Sequence, residues 1–292
     1  MGAHLNVQPM LSGRYFFLIG AMKAGTSSVY QHLAVHPSIY AAPRKEPRFF
    51  SNPSPTDRDV AAYEALFAGR TSEAWAFEAS TAYTKYPMLP GVADRISAAL
   101  PDARFIYVIR HPVERICSAY LHNRAEGRES RRLEEAIWDA AQEYLNVSRY
   151  HLQISQYMRV FPRDRLLVLV FEEFVADVDA ALAQVATFLG LERGFEPVGT
   201  ASQFNETAKK RAPLPGLGPL KHLLDHLELP WRLRRWAVRP LTRPLPSKSE
   251  VLDARLRARI LDELADDMVQ LEAFMGRRLH CWDVRSPAQS RP

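Results

Sequence analysis

The feature that most constrains this chain is a short apolar run, Tyr15 to Ile19, that breaks at Gly20 and is followed by helix-forming sequence from Thr26 to Val35. Such a run is too short for a helix and shows no polar alternation, so it reads as a strand buried on both faces. Between the two lies Gly20-Ala-Met-Lys23-Ala-Gly25, with glycines at both ends of a sharp turn. Strand, turn and helix therefore form one unit, and the amides and positive pole of the helix start converge on the turn, where an anion is favoured.

Two further units repeat the pattern. Asp94 to Leu100 reads as a helix, Pro101-Asp102 as a break and Arg104 to Ile109 as a second apolar strand, which ends at Arg110 ahead of Pro112 at a first helical position. Leu166 to Val170 reads as a third strand, before the acidic Glu172-Glu173 and a helix over Val178 to Leu189. Strands alternating with helices predict an α/β fold, a P-loop-like three-layer α/β/α core with a central parallel sheet. Ser38 to Ala42 reads as a short extended stretch, and Leu133 to Leu145 and Tyr150 to Phe161 as packing helices. Pro213 to Pro246 is rich in Pro and Arg and contains Trp231 and Trp236, and Glu250 to Phe274 reads as an amphipathic helix. With no internal repeat and no clean linker, the expectation is one domain over 1–292. It has a core over about 14–200, a nucleotide-covering and Pro/Arg-rich excursion over 201–248, whose Pro-rich stretch is either ordered over the core or a mobile lid, and a C-terminal helix over 249–283 packed on the core.

A chain of 292 residues, 47% of them hydrophobic, can bury a substantial core. Its net charge of +5 favours anionic partners without choosing among nucleotides, sulfate esters and nucleic acid. Cys117 and Cys281 are far apart and lack metal-ligand spacing, which predicts neither a disulfide framework nor a zinc site. Met1 to Ser12 lacks the features of a signal peptide, and no apolar run approaches the roughly 20 residues needed to span a bilayer. A cytoplasmic protein without a membrane span is expected.

In a nucleoside-triphosphate loop, Lys directly follows the second glycine; here Lys23 comes two residues before Gly25 and Thr26 stands in that place. This argues against an ATPase or a small-molecule kinase, which stays as an alternative, as does a nonenzymatic binder of anionic polymers through Trp231 to Arg243. The segment Phe16-Phe-Leu-Ile-Gly-Ala-Met-Lys-Ala-Gly-Thr-Ser-Ser resembles the 5′-phosphosulfate-binding segment of sulfotransferases, particularly the heparan sulfate and carbohydrate branch. The resemblance implies that Lys23, Ala24, Gly25, Thr26 and Ser27 hold the 5′-phosphate of 3′-phosphoadenosine-5′-phosphosulfate (PAPS), with adenosine 3′,5′-bisphosphate (PAP) as product. No metal is implied.

Arg110-His-Pro-Val-Glu-Arg-Ile-Cys-Ser118 is similar to the family's 3′-phosphate motif, an Arg followed eight residues later by Ser. A guanidinium fork and a hydroxyl suit a phosphate dianion; the alternatives are a surface ion pair for Arg110 and a helix back-bond for Ser118. Arg115 reads as structural, pairing with Glu114 or another acid, and Cys117 as a packed residue. Phe204 to Arg211 resembles the basic loop that closes over the nucleotide, in which Arg211, then Lys209 and Lys210, reach the 3′-phosphate; the other reading is a solvated basic turn.

Pro43-Arg-Lys-Glu46-Pro-Arg48-Phe-Phe carries a Glu ahead of a Phe pair, where the carbohydrate-type enzymes place their base. The resemblance implies that Glu46 takes the acceptor's proton and that Arg48, where relatives often show His, holds an acidic acceptor or the sulfonate. A Glu paired with Lys45 or Arg48 is the other reading. Phe77-Glu78-Ala79-Ser80-Thr81-Ala82-Tyr83 matches a segment in which the family has Lys at the place of Ala79, leaving Lys23 alone or asking Lys45, Arg48 or Lys85 to substitute. Glu78 orients an acceptor or fixes a basic neighbour, and Tyr83 packs or contacts substrate. His32 and His36 share a helical spacing without a third ligand and read as satisfied surface residues; His111 reads as a helix-start residue. The acceptor implied is a small molecule or glycan, not a nucleic acid, with a hydroxyl or amine to be sulfated.

Overall fold

The structure is a computed structural model that describes residues 13–139, 143–196, 211–213 and 242–282. Tyr15 to Ile19 do form a strand, β1 (Arg14–Gly20), buried from its second residue onward. It is followed by α1 (Thr26–Ala34), β2 (Ile39–Ala41), α2 (Asp57–Glu64), β3 (Trp75–Ala79), α3 (Val92–Ala99), β4 (Arg104–Ile109) and α4 (Pro112–Ala125). Next come α5 (Leu133–Ala136), α6 (Glu143–Asn146), α7 (Tyr150–Met158), β5 (Leu166–Val170), α8 (Phe171–Ala176) and α9 (Val178–Leu189). The remaining described elements are β6 (Arg211–Pro213), β7 (Thr242–Pro244), α10 (Lys248–Val251) and α11 (Ala254–Met275).

Five strands pair in the order β2-β3-β1-β4-β5, all parallel. The chain leaves β1 toward β2 but leaves β4 toward β5, so connections diverge at the β1/β4 boundary. In open parallel sheets the crevice beyond the carboxyl ends of such strands is where ligands bind. The loop at Gly20 to Gly25 and Arg110 stand at that boundary, each directly after its strand.

Side chains alternate across the sheet and are buried on both faces, as a parallel sheet requires. On one face Phe16 stacks on Phe77 at 4.7 Å, and Phe77 meets Tyr30 of α1 at 5.2 Å. On the other, Phe17 stacks on Phe105 at 5.8 Å, and Phe105 meets Tyr157 of α7 and Phe161 at 4.8 and 4.7 Å. The expected three-layer α/β/α core is the observed one.

Two expectations change. The helix expected over Leu133 to Leu145 is two four-residue helices, α5 and α6, with 140–142 between them outside the described residues. The helix expected from Glu250 is split: Asp253 leaves helical geometry and caps α11 by accepting from the Leu256 amide at 2.7 Å. Trp75 to Ala79, which carries Glu78, is a fully buried strand beside β1. α11 lies against α7. Asp267 of α11 accepts from the His151 and Leu152 amides at 3.0 and 2.9 Å, at the start of α7, and Leu256, Ile260, Leu264 and Leu271 are buried. Among the described residues no helix is long and apolar enough to cross a membrane.

Candidate active site

The loop after β1 turns through left-handed backbone at Lys23 (φ 69°) and Gly25 (φ 93°). At Gly25 this conformation leaves no room for a side chain: a Cβ there would lie 2.2 Å from the Phe171 ring. Thr26 and Ser27 are the first residues of α1, where amides have no partner within the helix. The Ala24 amide donates to the Ala21 carbonyl at 3.1 Å inside the turn. Its contribution is to shape the loop.

Arg110 follows β4 directly. Its guanidinium lies 5.1 Å from the centre of the Phe171 ring, the same ring that touches Gly25, so one aromatic side chain joins the loop after β1 to the arginine after β4. The backbone is fixed by Tyr150, whose hydroxyl donates to the Arg110 carbonyl at 2.6 Å. Glu114 approaches the guanidinium at 3.9 Å, and Nε is buried without a hydrogen-bond partner. An orphaned buried N–H on a cation suits an anion. Ser118, on the second turn of α4, is 7% exposed. The backbone of Arg211 lies in β6, which packs beside α4 and pairs with β7; its side chain, Lys209, Lys210 and 214–241 lie outside the described residues.

Arg115 is structural, as expected, but not through an acid. It is fully buried and donates to the Ser148 hydroxyl at 2.6 Å and to the carbonyls of Tyr144, Glu143 and Met22 at 2.6, 3.2 and 3.4 Å. The Met22 bond braces the loop after β1. Cys117 is packed in the core.

Glu46 sits on left-handed backbone (φ 60°), as does Arg48 (φ 57°). Its carboxylate accepts from the Thr81 amide at 3.2 Å, from the Thr81 hydroxyl at 2.9 Å and from Arg48 Nε at 3.3 Å. Next to it, Lys45 Nζ donates to the Ser27 hydroxyl at 2.8 Å. That bond ties the Glu46 segment to the loop after β1, so Lys23, Ser27, Arg110 and Glu46 share one end of the sheet.

Substrate contact was among the expectations for Glu78 and Tyr83, yet both are buried, at 1% and 3% exposure. Glu78 accepts from the Tyr83 hydroxyl at 2.5 Å, from Ser80 Oγ at 2.8 Å and from Tyr63 at 3.4 Å. Ser80 Oγ in turn accepts from the Arg48 amide at 3.0 Å and the Tyr83 hydroxyl from the Phe50 amide at 3.2 Å. One carboxyl thus anchors the backbone on both sides of Arg48. Burial pushes its pKa up to about 7, against the lowering effect of the hydroxyls. Arg48 itself is largely exposed at the rim.

His32 and His36 are buried rather than on the surface, bonded to the carbonyls of Ser28 at 2.9 Å and Arg193 at 3.2 Å. His111 does start α4. Its amide donates to Glu172 Oε1 at 3.0 Å, and burial beside Arg257 lowers the pKa of its ring. Sequence reasoning did not find Phe171, whose only linear signal is its place directly after β5.

A family model described as "Sulfotransferase family" matches residues 16–197, more than half of the chain. The human heparan sulfate glucosamine 3-O-sulfotransferase 3B1 is 27% identical over 184 residues, covering 60% of this chain and 46% of that protein. Mouse heparan sulfate glucosamine 3-O-sulfotransferase 6 is 28% identical over 187 residues, covering 60% and 52%. The chain therefore spans about half the length of the curated relatives it matches. A crystal structure of a sulfotransferase from Alicyclobacillus acidocaldarius superposes with a TM-score of 0.65 at 28% identity, covering 93% of this chain and 99% of that one.

Proposed function

Because this chain belongs to the sulfotransferase family, we propose that it transfers a sulfuryl group from PAPS to a hydroxyl or amine of a small-molecule or glycan acceptor. The observation that carries the reading is the Phe171 ring, which seats the Gly25 turn and the Arg110 guanidinium side by side. Two cationic pockets on one crevice suit a nucleotide charged at both its 5′ and 3′ positions. The donor supplies an activated sulfur on a phosphate leaving group.

The chain's residues do the rest. The amides at Thr26 and Ser27 and the Lys23 ammonium face charge that grows on the departing phosphate, and preorganised donors of this kind are the largest lever on such a barrier. Arg110 and Ser118 hold the 3′-phosphate. Glu46, anchored by Thr81, takes the acceptor proton as the acceptor atom attacks sulfur in line. Glu78 sits behind this machinery and positions the loop that bears Glu46 and Arg48. Basic side chains and amides suffice to neutralise the leaving group, so the reading assigns no metal.

The test is transfer of isotopically labelled sulfate from PAPS across a panel of sugars, glycolipids and natural-product alcohols and amines, read by mass spectrometry as gain of one sulfuryl group. PAP release without any sulfated acceptor, or no PAP binding at all, contradicts the reading.

A further inference from the structure

The amino ends of the strands, opposite the proposed transfer crevice, hold a second concentration of positive charge. Arg14 opens β1, Trp75 opens β3, Arg104 opens β4, and Arg165 directly precedes β5. Strand pairing sets Arg14 beside Trp75 and Arg104 beside Phe16. Residues two apart on a strand share a face, so Arg14, Trp75 and Arg104 all stand on the face that bears Phe16. Two guanidinium groups crowd the one indole ring, at 4.3 Å from its centre for Arg14 and 5.3 Å for Arg104. Between Arg14 and Gly20 the strand rises about 20 Å, which separates this end from the loop after β1 and from Arg110.

A cavity of about 500 Å³ opens there, lined by the three arginines, by Asp102 and by the apolar Leu100 and Pro101. That volume is in the range of sites for small organic molecules. Its charges are unbalanced. Arg165 pairs with Asp102 at 3.2 Å, a carboxylate that is 91% exposed, and among the described residues no carboxylate forms an ion pair with Arg14 or Arg104. Residues 1–12, which precede Arg14 and lie outside the described residues apart from this fact of sequence, contain no Asp or Glu. Arg104 commits one terminal nitrogen to the Phe188 carbonyl, and its Nε is buried without a partner. Burial, with repulsion from Arg14 and Arg165, lowers its pKa; the opposing charge of Asp164 comes from outside the cavity lining. An anion among the three guanidinium groups relieves that repulsion and meets donors shaped for a tetrahedral oxyanion.

We infer that this cavity is a second ligand site, which takes an organic phosphate or sulfate ester with its tetrahedral head among Arg14, Arg104 and Arg165 and its organic body against Leu100 and Pro101. Three lining cations face one lining carboxylate, so a dianionic head is matched better than a monoanionic one. A phosphate monoester is a dianion above its second pKa of about 6, whereas a sulfate ester carries a single charge.

The experiment titrates the isotopically labelled protein at pH 8 and constant ionic strength with phenyl phosphate, phenyl sulfate and inorganic phosphate, followed by NMR at the arginine side-chain signals. Phenyl phosphate should shift the Arg14 and Arg104 signals saturably. Arg14→Met, a change at an exposed position, should weaken that binding at least about tenfold, the scale of one charge-assisted bond. Asp102→Asn, which frees Arg165, should tighten it, and Arg110→Ala, at the other end of the sheet, should leave it unchanged. Saturable binding of either ester at these arginines supports the site, and the tighter of the two identifies its head group. No saturable shift with either ester overturns the inference, as does binding that Arg110→Ala abolishes and Arg14→Met spares. Inorganic phosphate that binds as tightly as both esters overturns the part assigned to the organic body.

Discussion

Replacing Glu78 with glutamine changes how stability depends on pH by an amount that follows from the site. The carboxyl is buried between Tyr63, Tyr83 and Ser80, with the Glu46 charge near by, and its pKa rises from an ordinary 4.5 to about 7. A raised folded-state pKa means that the native protein holds a proton that the unfolded chain has released. The stabilisation is therefore complete below the unfolded value and is lost as pH climbs through the folded one. Linkage between those two pKa values gives a loss of roughly 2–3 kcal/mol on going from about pH 5 to about pH 8. Glutamine carries no such proton. Urea unfolding of both proteins at the two pH values isolates the effect: the stability of Glu78→Gln relative to the wild type should improve by roughly 2–3 kcal/mol at the higher pH. If the gap between the two proteins is the same at both pH values, Glu78 titrates alike in the folded and unfolded states and the buried carboxyl is misassigned.

Arg110→Ala should weaken PAP binding roughly 10- to 150-fold, the equivalent of one charge-assisted bond of about 1.5–3 kcal/mol, as read by calorimetry; unchanged affinity removes Arg110 from the nucleotide pocket. Glu46→Gln should lower kcat by about 10²- to 10⁴-fold while leaving the Kd of PAP near the wild-type value. Wild-type turnover would place the base elsewhere. Gly25→Ala puts a Cβ against the Phe171 ring at a left-handed position. Both the melting temperature and PAP affinity should fall, and a variant that keeps both contradicts the packing that joins the two pockets.

Much of the frame was legible in the sequence because its signals are local. β1, β4 and β5 are continuous apolar runs that end at Gly20, Arg110 and Phe171, and a fully buried parallel strand needs little else. β3 was not legible as a strand, since Glu78 interrupts its apolar run and is tolerated only by hydroxyls brought in from Tyr63, Ser80 and Tyr83. α2 offers little apolar periodicity, and its start shows only in Thr56 and Asp59, which form a capping box. The phosphate loop, Arg110 and Glu46 could be named from their motifs. What no motif conveys is the joining of segments by single side chains: Phe171 between two pockets, Arg115 behind Met22, and Lys45 on Ser27.

The most direct measurement is a crystal structure of the protein with PAP bound. The 5′-phosphate should rest on the amides at Thr26 and Ser27 beside Lys23, and the 3′-phosphate of the same molecule on Arg110 and Ser118, with the Phe171 ring between them. A nucleotide whose two phosphates engage other residues, or that reaches only one of the two pockets, contradicts the account.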